Sequence, residues 1–469
     1  MKKFTFFLII LQLGSWTEIQ ANSCDHNFYR PNYISRSSLC ALGELVPDQY
    51  DGGKLILCEK MEIDHLVSLK QAWENGVCGL ELKKLANDPD NLRTTFWLTN
   101  RQKGRKSPVE FAKGLNGKSK INVLRDTEVI YSRYSIVSKK KIIDLKLPWG
   151  STFVNDNELL VTEQNGKIKL IYLNNKKTIT IDHNLNYLVD GQGGLLDIIF
   201  KNNNIWISYS EDRGSSKTST SIAIAKFNKN KLYFKNIFQA NPPIKSGYHF
   251  GSRLAIRDNY IFASVGERGL GMIAQDPSKH PGSIIRVHLD GSIPKDNPKF
   301  EGKSDWLPEI YQIGVRNPQG LTLSDFDGKI YLSNHGAKGG DWFGEAKKSE
   351  NYGWKILGWG GKNYSGIPIG PRWKPGFTKA IQYWVPSIAT SAITIYNGIE
   401  FKEWNGHALI TSLKDQSLRK LIISDLFNVK EDIIFKNKIG RIRDIQVHPS
   451  NGKIFFLSED GLWKMEKID

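Results

Sequence analysis

LLVTEQNG at residues 159–166 sets a theme that returns five times: IWISYSEDRG at 205–214, IFASVGERG at 261–269, IYLSNHG at 330–336, LITSLKDQ at 409–416 and IFFLSEDG at 454–461. Each is a short run of apolar and β-branched residues closed by a polar tip, most often ending in Gly. β-Branched side chains pack well on a pleated surface, and Gly, Asn and Asp suit tight turns, so each run reads as a strand and its tip as a loop. Strands follow one another at short spacing with no convincing amphipathic helix between them. The fold class predicted is mainly β, and six recurrences predict a six-bladed β-propeller. Radial closure protects the strand edges and leaves a central channel on which loops converge. A β-sandwich would have to hold roughly 330 residues in one core, more than single cores usually reach.

The whole chain has 469 residues, 40% hydrophobic and 24% charged, which excludes a disordered or fibrous protein. Lys and Arg number 65 against 48 Asp and Glu, a net charge of +17 that favours acidic partners. Met1-Lys2-Lys3 followed by FTFFLIILQLGSW and TEIQA reads as a bacterial signal peptide over 1–21, cut after Ala21, so an exported protein is expected, with a signal anchor as the alternative. No later stretch is apolar enough to cross a membrane. All cysteines (Cys24, Cys40, Cys58, Cys78) precede residue 80. In an exported chain they suggest two disulfides with three possible pairings, and their spacing does not suit zinc. That break in cysteine usage marks a domain boundary. The expected organisation is a small α+β domain over 22–125, a basic linker over 126–142 containing Lys139-Lys140-Lys141, and the propeller over 143–469.

In the first domain, EIDHLVSLKQAWENG is followed by LANDPDNLRTTFWLTNRQKGRKS. An Asp-His pair at the end of a strand puts a hard oxygen ligand beside a potential general base. Lys103, Arg105 and Lys106 can neutralise phosphate, and between 81 and 141 there are fifteen Lys/Arg against six Asp/Glu. Asp64-His65, Ala72-Trp73, NDPDNL and N-x-x-KG at Asn100 to Gly104 resemble the HNH (His-Me finger) nucleases. The resemblance implies that Asp64 and Asn100 hold Mg²⁺, that His65 is the base, that Asn91 buttresses the metal loop, and that nucleic acid is a partner.

In the second domain, several polar groups fall at loop tips: Gln192, His249, Arg316, Asn317, Lys414, Arg441 and Arg443. One imidazole among several cations suits an anionic ligand with one proton to move. These segments, with LPWGSTF, AQDPSKHPGSIIRVHLDGSIPKDNP, NYGW and YWVPSIATS, are similar in order to the soluble sugar dehydrogenases that use pyrroloquinoline quinone (PQQ), particularly the aldose sugar dehydrogenase branch. The resemblance implies oxidation of an aldose with His249 as base, paired with Glu267, and with Arg316 at the reacting centre. It implies Gln192, Arg316, Asn317, Lys414, Arg441 and Arg443 around PQQ, and Trp384 walling the sugar. Backbone carbonyls of Gly336 and Ala337 would ligate Ca²⁺, and an external electron acceptor would be needed.

Two positions depart from that family's pattern. Glu267 stands where Asp is usual, so a longer and looser arm is expected behind the imidazole. Asp341-Trp342 stands where Asp-Glu is common, which weakens a second calcium site expected at Asp341 and Tyr352. Two rival readings stay open: a propeller that binds a glycan or protein without redox chemistry, and a nuclease that uses the propeller for targeting.

Overall fold

The protein is described by a computed structural model over residues 28–134, 136–299, 305–423 and 429–468. The expected signal peptide and Cys24 lie outside the described residues.

Six blades form the propeller, each with four antiparallel strands, and blade one gains a fifth by the parallel pairing of Lys231–Leu232 with Thr178–His183. Their innermost strands are Pro148–Asn155, Leu195–Lys201, Gly251–Arg257, Pro318–Leu323, Thr390–Ile395 and Ile442–Val447. Each run quoted above supplies the second strand of a blade, and its polar tip is the loop to the third strand. Facing blades bury their apolar positions together. Leu160, Ile168 and Leu170 of blade one meet Ile198, Ile205 and Ile207 of blade two, and Phe262 and Ile284 meet Leu321 and Leu332 one step on. Each such side chain contributes about 1.5–3 kcal/mol when fully buried, so the ring is held by its blade interfaces.

The stretch expected to be a linker is not one. Residues up to Arg133 complete a helix, Gly117–Arg133, and Val137–Asp144 is the outermost strand of blade six. It pairs antiparallel with Gly461–Lys467, with Lys140 opposite Lys464 and Ile143 opposite Leu462. The lysines misled because an outer strand needs only one apolar face: Val137 is buried while Lys140 points out. The ring is thus closed by the strand that precedes blade one.

The N-terminal unit contains the antiparallel pair Met61–His65 and Leu92–Phe96 and five helices. Ser68 and Ser107 cap two of those helices, the second with Pro108 in its first turn. Its core of Val67, Leu82, Leu85 and Ile130 also receives Ile136 and Ile468, and Lys139 of blade six donates to the Asn75 carbonyl at 2.8 Å. Cys40–Cys58 is one disulfide, and Cys78 is disulfide-bonded as well. No described helix is long and apolar enough to cross a membrane.

Candidate active site at the channel mouth

Every innermost strand carries a register shift near its first residues, for example between Gly251 and Leu254, Pro318 and Gly320, and Ile442 and Asp444. Similar shifts follow Pro148, Leu195 and Thr390. A bulge bends a strand and re-aims its side chains, so one end of the channel is built to turn residues inward. The sequence-predicted groups stand at that end. Gln192, His249, Arg316 and Arg441 immediately precede innermost strands. Glu267, Gly336, Ala337 and Lys414 lie in loops between second and third strands, which open on the same end.

His249 is held from both sides. Its Nδ1 is 2.6 Å from Glu267 Oε1, and its backbone N–H donates to Gln192 Oε1 at 2.9 Å. A carboxylate only accepts, so Nδ1 carries the hydrogen and Nε2 keeps the lone pair. Burial, seconded by the Arg316 guanidinium, holds the imidazole below its usual pKa despite Glu267, so it is neutral at pH 7. Glu267 is not the loose arm its length suggested. Its Oε2 accepts from Gly271 N at 2.6 Å and its own N–H donates to the Arg316 carbonyl at 2.8 Å. Gly271 sits at φ +55°, a conformation that glycine adopts without penalty.

Arg316 is buried, its guanidinium 5.3 Å from the Trp354 ring centroid and 3.3 Å from the His335 carbonyl. Arg443 lies 4.2 Å over the Trp149 ring. Burial, with Arg253 and Arg441 adding to it, pushes Arg443 down to about 9. Arg441 is half-exposed and 3.6 Å from Glu459. Lys414 is exposed at its loop tip. The mouth is therefore a ring of cations with one neutral base.

Below it, Arg253 bonds Asp444 at 2.7 Å and Asp197 at 3.3 Å across the channel. This buried triad closes the channel beneath the mouth, and a cavity of about 230 Å³ opens on its far side between Ile199, Ile256, Leu323 and Thr394.

Four expectations change. Trp384 does not wall an open site: it is buried against Tyr331 and Phe343, and its Nε1 donates to Glu431 at 3.0 Å. Asn317 accepts from Gly251 N and Gln319 Nε2, both at 3.1 Å, so its oxygen pins two innermost strands together. The second calcium site is absent as a donor set. Asp341 accepts from Gly336 N, Ser387 Oγ and Thr390 N, while the Tyr352 hydroxyl donates to the Glu345 carbonyl and its ring stacks on Trp342 at 4.0 Å. Asp341 instead ties down the loop whose carbonyls, on Gly336 and Ala337, were assigned to the first calcium. Sequence reasoning also passed over His335. It is part-buried, its buried Nε2 has no hydrogen-bond partner among the described residues, and it is an electrostatic neighbour of Arg316, His249 and Arg443 at once. A lone His before Gly gives no signal of that placement.

The fourth change concerns Mg²⁺ in the N-terminal unit. Asp64 Oδ2 accepts from Tyr50 Oη at 2.7 Å and lies 2.8 Å from the buried ammonium of Lys103, which already balances the charge a divalent ion would meet. Asn100 donates to Glu62 at 2.8 Å, and Asn91 spends its amide on Val67 and Leu85, a buttress for the turn after His65. Among the described residues no group of three or more His, Cys, Asp or Glu could hold a metal ion. The residues do not fit Mg²⁺ as they stand. His65 does have a fixed tautomer: Nε2 lies 2.9 Å from the Ala86 carbonyl, so that nitrogen donates and Nδ1 keeps the lone pair.

Residues 145–464 match the family described as Glucose / Sorbosone dehydrogenase. The chain is 30% identical over 335 residues to the aldose sugar dehydrogenase YliI of Escherichia coli K12, covering 68% of this chain and 89% of that protein. It is 27% identical over 314 residues to the quinoprotein glucose dehydrogenase B of Acinetobacter calcoaceticus, covering 59% and 64% respectively. The crystal structure of the soluble aldose sugar dehydrogenase of Escherichia coli in its apo form superposes with a TM-score of 0.67 at 30% identity, over 71% of this chain and all of that one.

Proposed function

The chain belongs to the glucose/sorbosone dehydrogenase family, and from that premise we propose that it oxidises aldose sugars at C1 with pyrroloquinoline quinone. The observation that carries the reading is His249: a neutral imidazole with its Nδ1 proton committed to Glu267, so that Nε2 keeps the lone pair, at a mouth lined by cations. In the proposed reaction the C1 hydroxyl gives its proton to His249 Nε2. Glu267 then faces an imidazolium and stabilises the charge as it forms. Gln192 keeps the His249 backbone in place during that transfer.

The donor set fits the quinone. PQQ carries carboxylates, and Arg316, Lys414, Arg441 and Arg443 offer forks and an ammonium for them. Arg443 in particular is a buried cation whose charge is disfavoured by two neighbouring arginines, a situation that an anion relieves. The Gly336 and Ala337 carbonyls would hold Ca²⁺, a hard cation suited to oxygen ligands. When bound, the quinone supplies the two-electron acceptor for the C1 hydride. The quinoprotein named among the relatives supports the same cofactor. The charged start of the chain and its disulfides support export.

The test is dye reduction by purified protein with PQQ, Ca²⁺ and a panel of aldoses. Turnover is expected in the wild type and its loss in His249→Ala. A wild type that neither reduces dye nor binds the quinone refutes the reading and favours a non-redox propeller.

A second reading concerns the N-terminal unit, where the fixed tautomer of His65 favours phosphodiester hydrolysis. Burial holds this imidazole below its usual pKa, so it too is a neutral base. Arg30, Arg36, Glu62 and Asn100 line an adjacent groove of about 700 Å³. Plasmid nicking that His65→Ala abolishes would support it. Intact plasmid across a series of divalent metals would end it.

A further inference from the structure

Helix Leu69–Glu74 of the N-terminal unit ends at Asn75, and Gly76 follows at φ +108°. Two lysines of the propeller hold this helix end. Lys139, on the outermost strand of blade six, donates to the Asn75 carbonyl at 2.8 Å, and its Nζ lies 5.4 Å from the Phe435 ring centroid. Lys438 places its Nζ 5.7 Å from the Trp73 ring centroid. A Cβ on Gly76 would sit 3.8 Å from that of Phe435, so the turn lies close against the strand Lys430–Lys436. Cations suit a helix C-terminus, where carbonyls lack partners and the dipole is negative. The two ammoniums repel each other, and the helix end offsets that by giving one an acceptor and the other an aromatic face.

The stretch so held runs directly into the candidate site. Lys436 pairs with Asp415 at 2.7 Å, and the Asn437 N–H donates to the Gln416 carbonyl at 2.9 Å. Both contacts fasten the stretch to the loop that carries Lys414. Asn437 sits at φ +55°, a left-handed conformation in which Asn is enriched. Ile439 is buried in one core with Val137 and Phe435. Arg441 comes next, just before the innermost strand of blade six, and Arg443 lies within that strand.

We propose that the N-terminal unit is a brace for the quinone clamp: Trp73 and Asn75, through Lys438 and Lys139, fix residues 435–440 so that Lys414, Arg441 and Arg443 converge on the carboxylates of the cofactor. Lys139 and Lys438 are thus positioning residues. The inference rests on the dehydrogenase reading and gives the first unit a role that needs no nuclease chemistry. Coupling of this kind is reciprocal, so bound quinone must tighten the hold on the helix end by the same factor.

The experiment titrates PQQ in the presence of Ca²⁺ into the full chain by calorimetry, in wild type, Lys438→Ala, Lys438→Arg and the double variant Lys139→Met/Lys438→Ala. Lys438→Ala should raise the Kd about 2- to 5-fold, the loss of one cation–π contact, and Lys438→Arg should restore it. The double variant, which also loses the bond to Asn75, should raise the Kd about tenfold, with the KM for sugar at saturating quinone and the acid limb set by His249 unchanged. Hydrogen exchange over residues 435–443 in the quinone-free chain is the second readout, and it should be faster in the double variant. A Kd or an exchange rate equal to wild type in that variant overturns the brace. A fall in Tm with the Kd unchanged overturns it too, because the contacts would then serve stability alone. A wild type that binds no quinone refutes the dehydrogenase reading, and the exchange comparison then decides the brace by itself.

Discussion

Replacing Glu267 by Gln keeps the shape of the carboxylate and removes its charge. Two bonds are at stake, 2.6 Å to His249 Nδ1 and 2.6 Å to Gly271 N. A hydrogen bond to a buried charged group is worth about 1.5–3 kcal/mol, and about 1.4 kcal/mol is a factor of ten. His249 is already held below its usual pKa by burial and Arg316, with Glu267 opposing that shift. Without the carboxylate, which opposes the effect of burial, the imidazole pKa falls further. The active form is the neutral base, so activity rises with pH through this pKa. The variant's acid limb must therefore move to lower pH. Its plateau must also drop, by about 10- to 100-fold, because the imidazolium formed during proton transfer loses its counter-charge. Dye-linked kcat measured from pH 4.5 to 9 reads both effects. Glu267→Asp tests reach, since the shorter arm cannot keep both bonds and recovers only part of the loss. A plateau and acid limb that match wild type would show that Glu267 does not act through His249.

Further outcomes follow from other contacts. Arg253→Met leaves Asp197 and Asp444 buried without their cation, which costs about 3–5 kcal/mol and lowers Tm by on the order of 10 °C. Burial pushes Asp197 up to about 6. A folded pKa above the unfolded one means that stability falls as pH rises through that window. The deficit of Arg253→Met, where the shift is larger still, should thus be greater at pH 8 than at pH 5 in thermal melts. In Gly336→Ala the new Cβ would lie 2.4 Å from the Gly339 carbonyl oxygen and 2.5 Å from the Gly340 carbonyl carbon. The loop must shift, and the Ca²⁺ concentration needed to restore activity should rise at least tenfold in a titration. Chains begun at residue 134 and at residue 145 differ by the outer strand of blade six; only the longer should melt as a single cooperative transition.

The propeller was legible because its signal repeats: six apolar runs with polar tips carry more information than any one of them. The gathering of His249, Arg316, Arg441 and Arg443 at one end follows from the fold, because the bulged starts of the innermost strands bring sequence-distant loops together there. Three kinds of feature were not legible. Trp384 and Asn317 look like site residues in one dimension, but partners such as Glu431 and Gly251 belong to strands whose packing no local pattern encodes. Lys139 to Lys141 read as solvated because charge hides the alternation of an outer strand. The grip of Gly271 on Glu267 spans only four residues, yet it depends on a turn that propensity does not specify.

The strand Val137–Asp144 has a consequence for biosynthesis. Its partner, Gly461–Lys467, is the last strand of the propeller in chain order, so the first propeller strand to be made has no neighbour until the rest of the ring has been synthesised. Only Tyr134 to Ile136 separate it from the preceding helix. The N-terminal unit therefore waits with one unpaired ribbon at its exit, and a ribosome that stalls just before Ile442 releases five blades and no hoop.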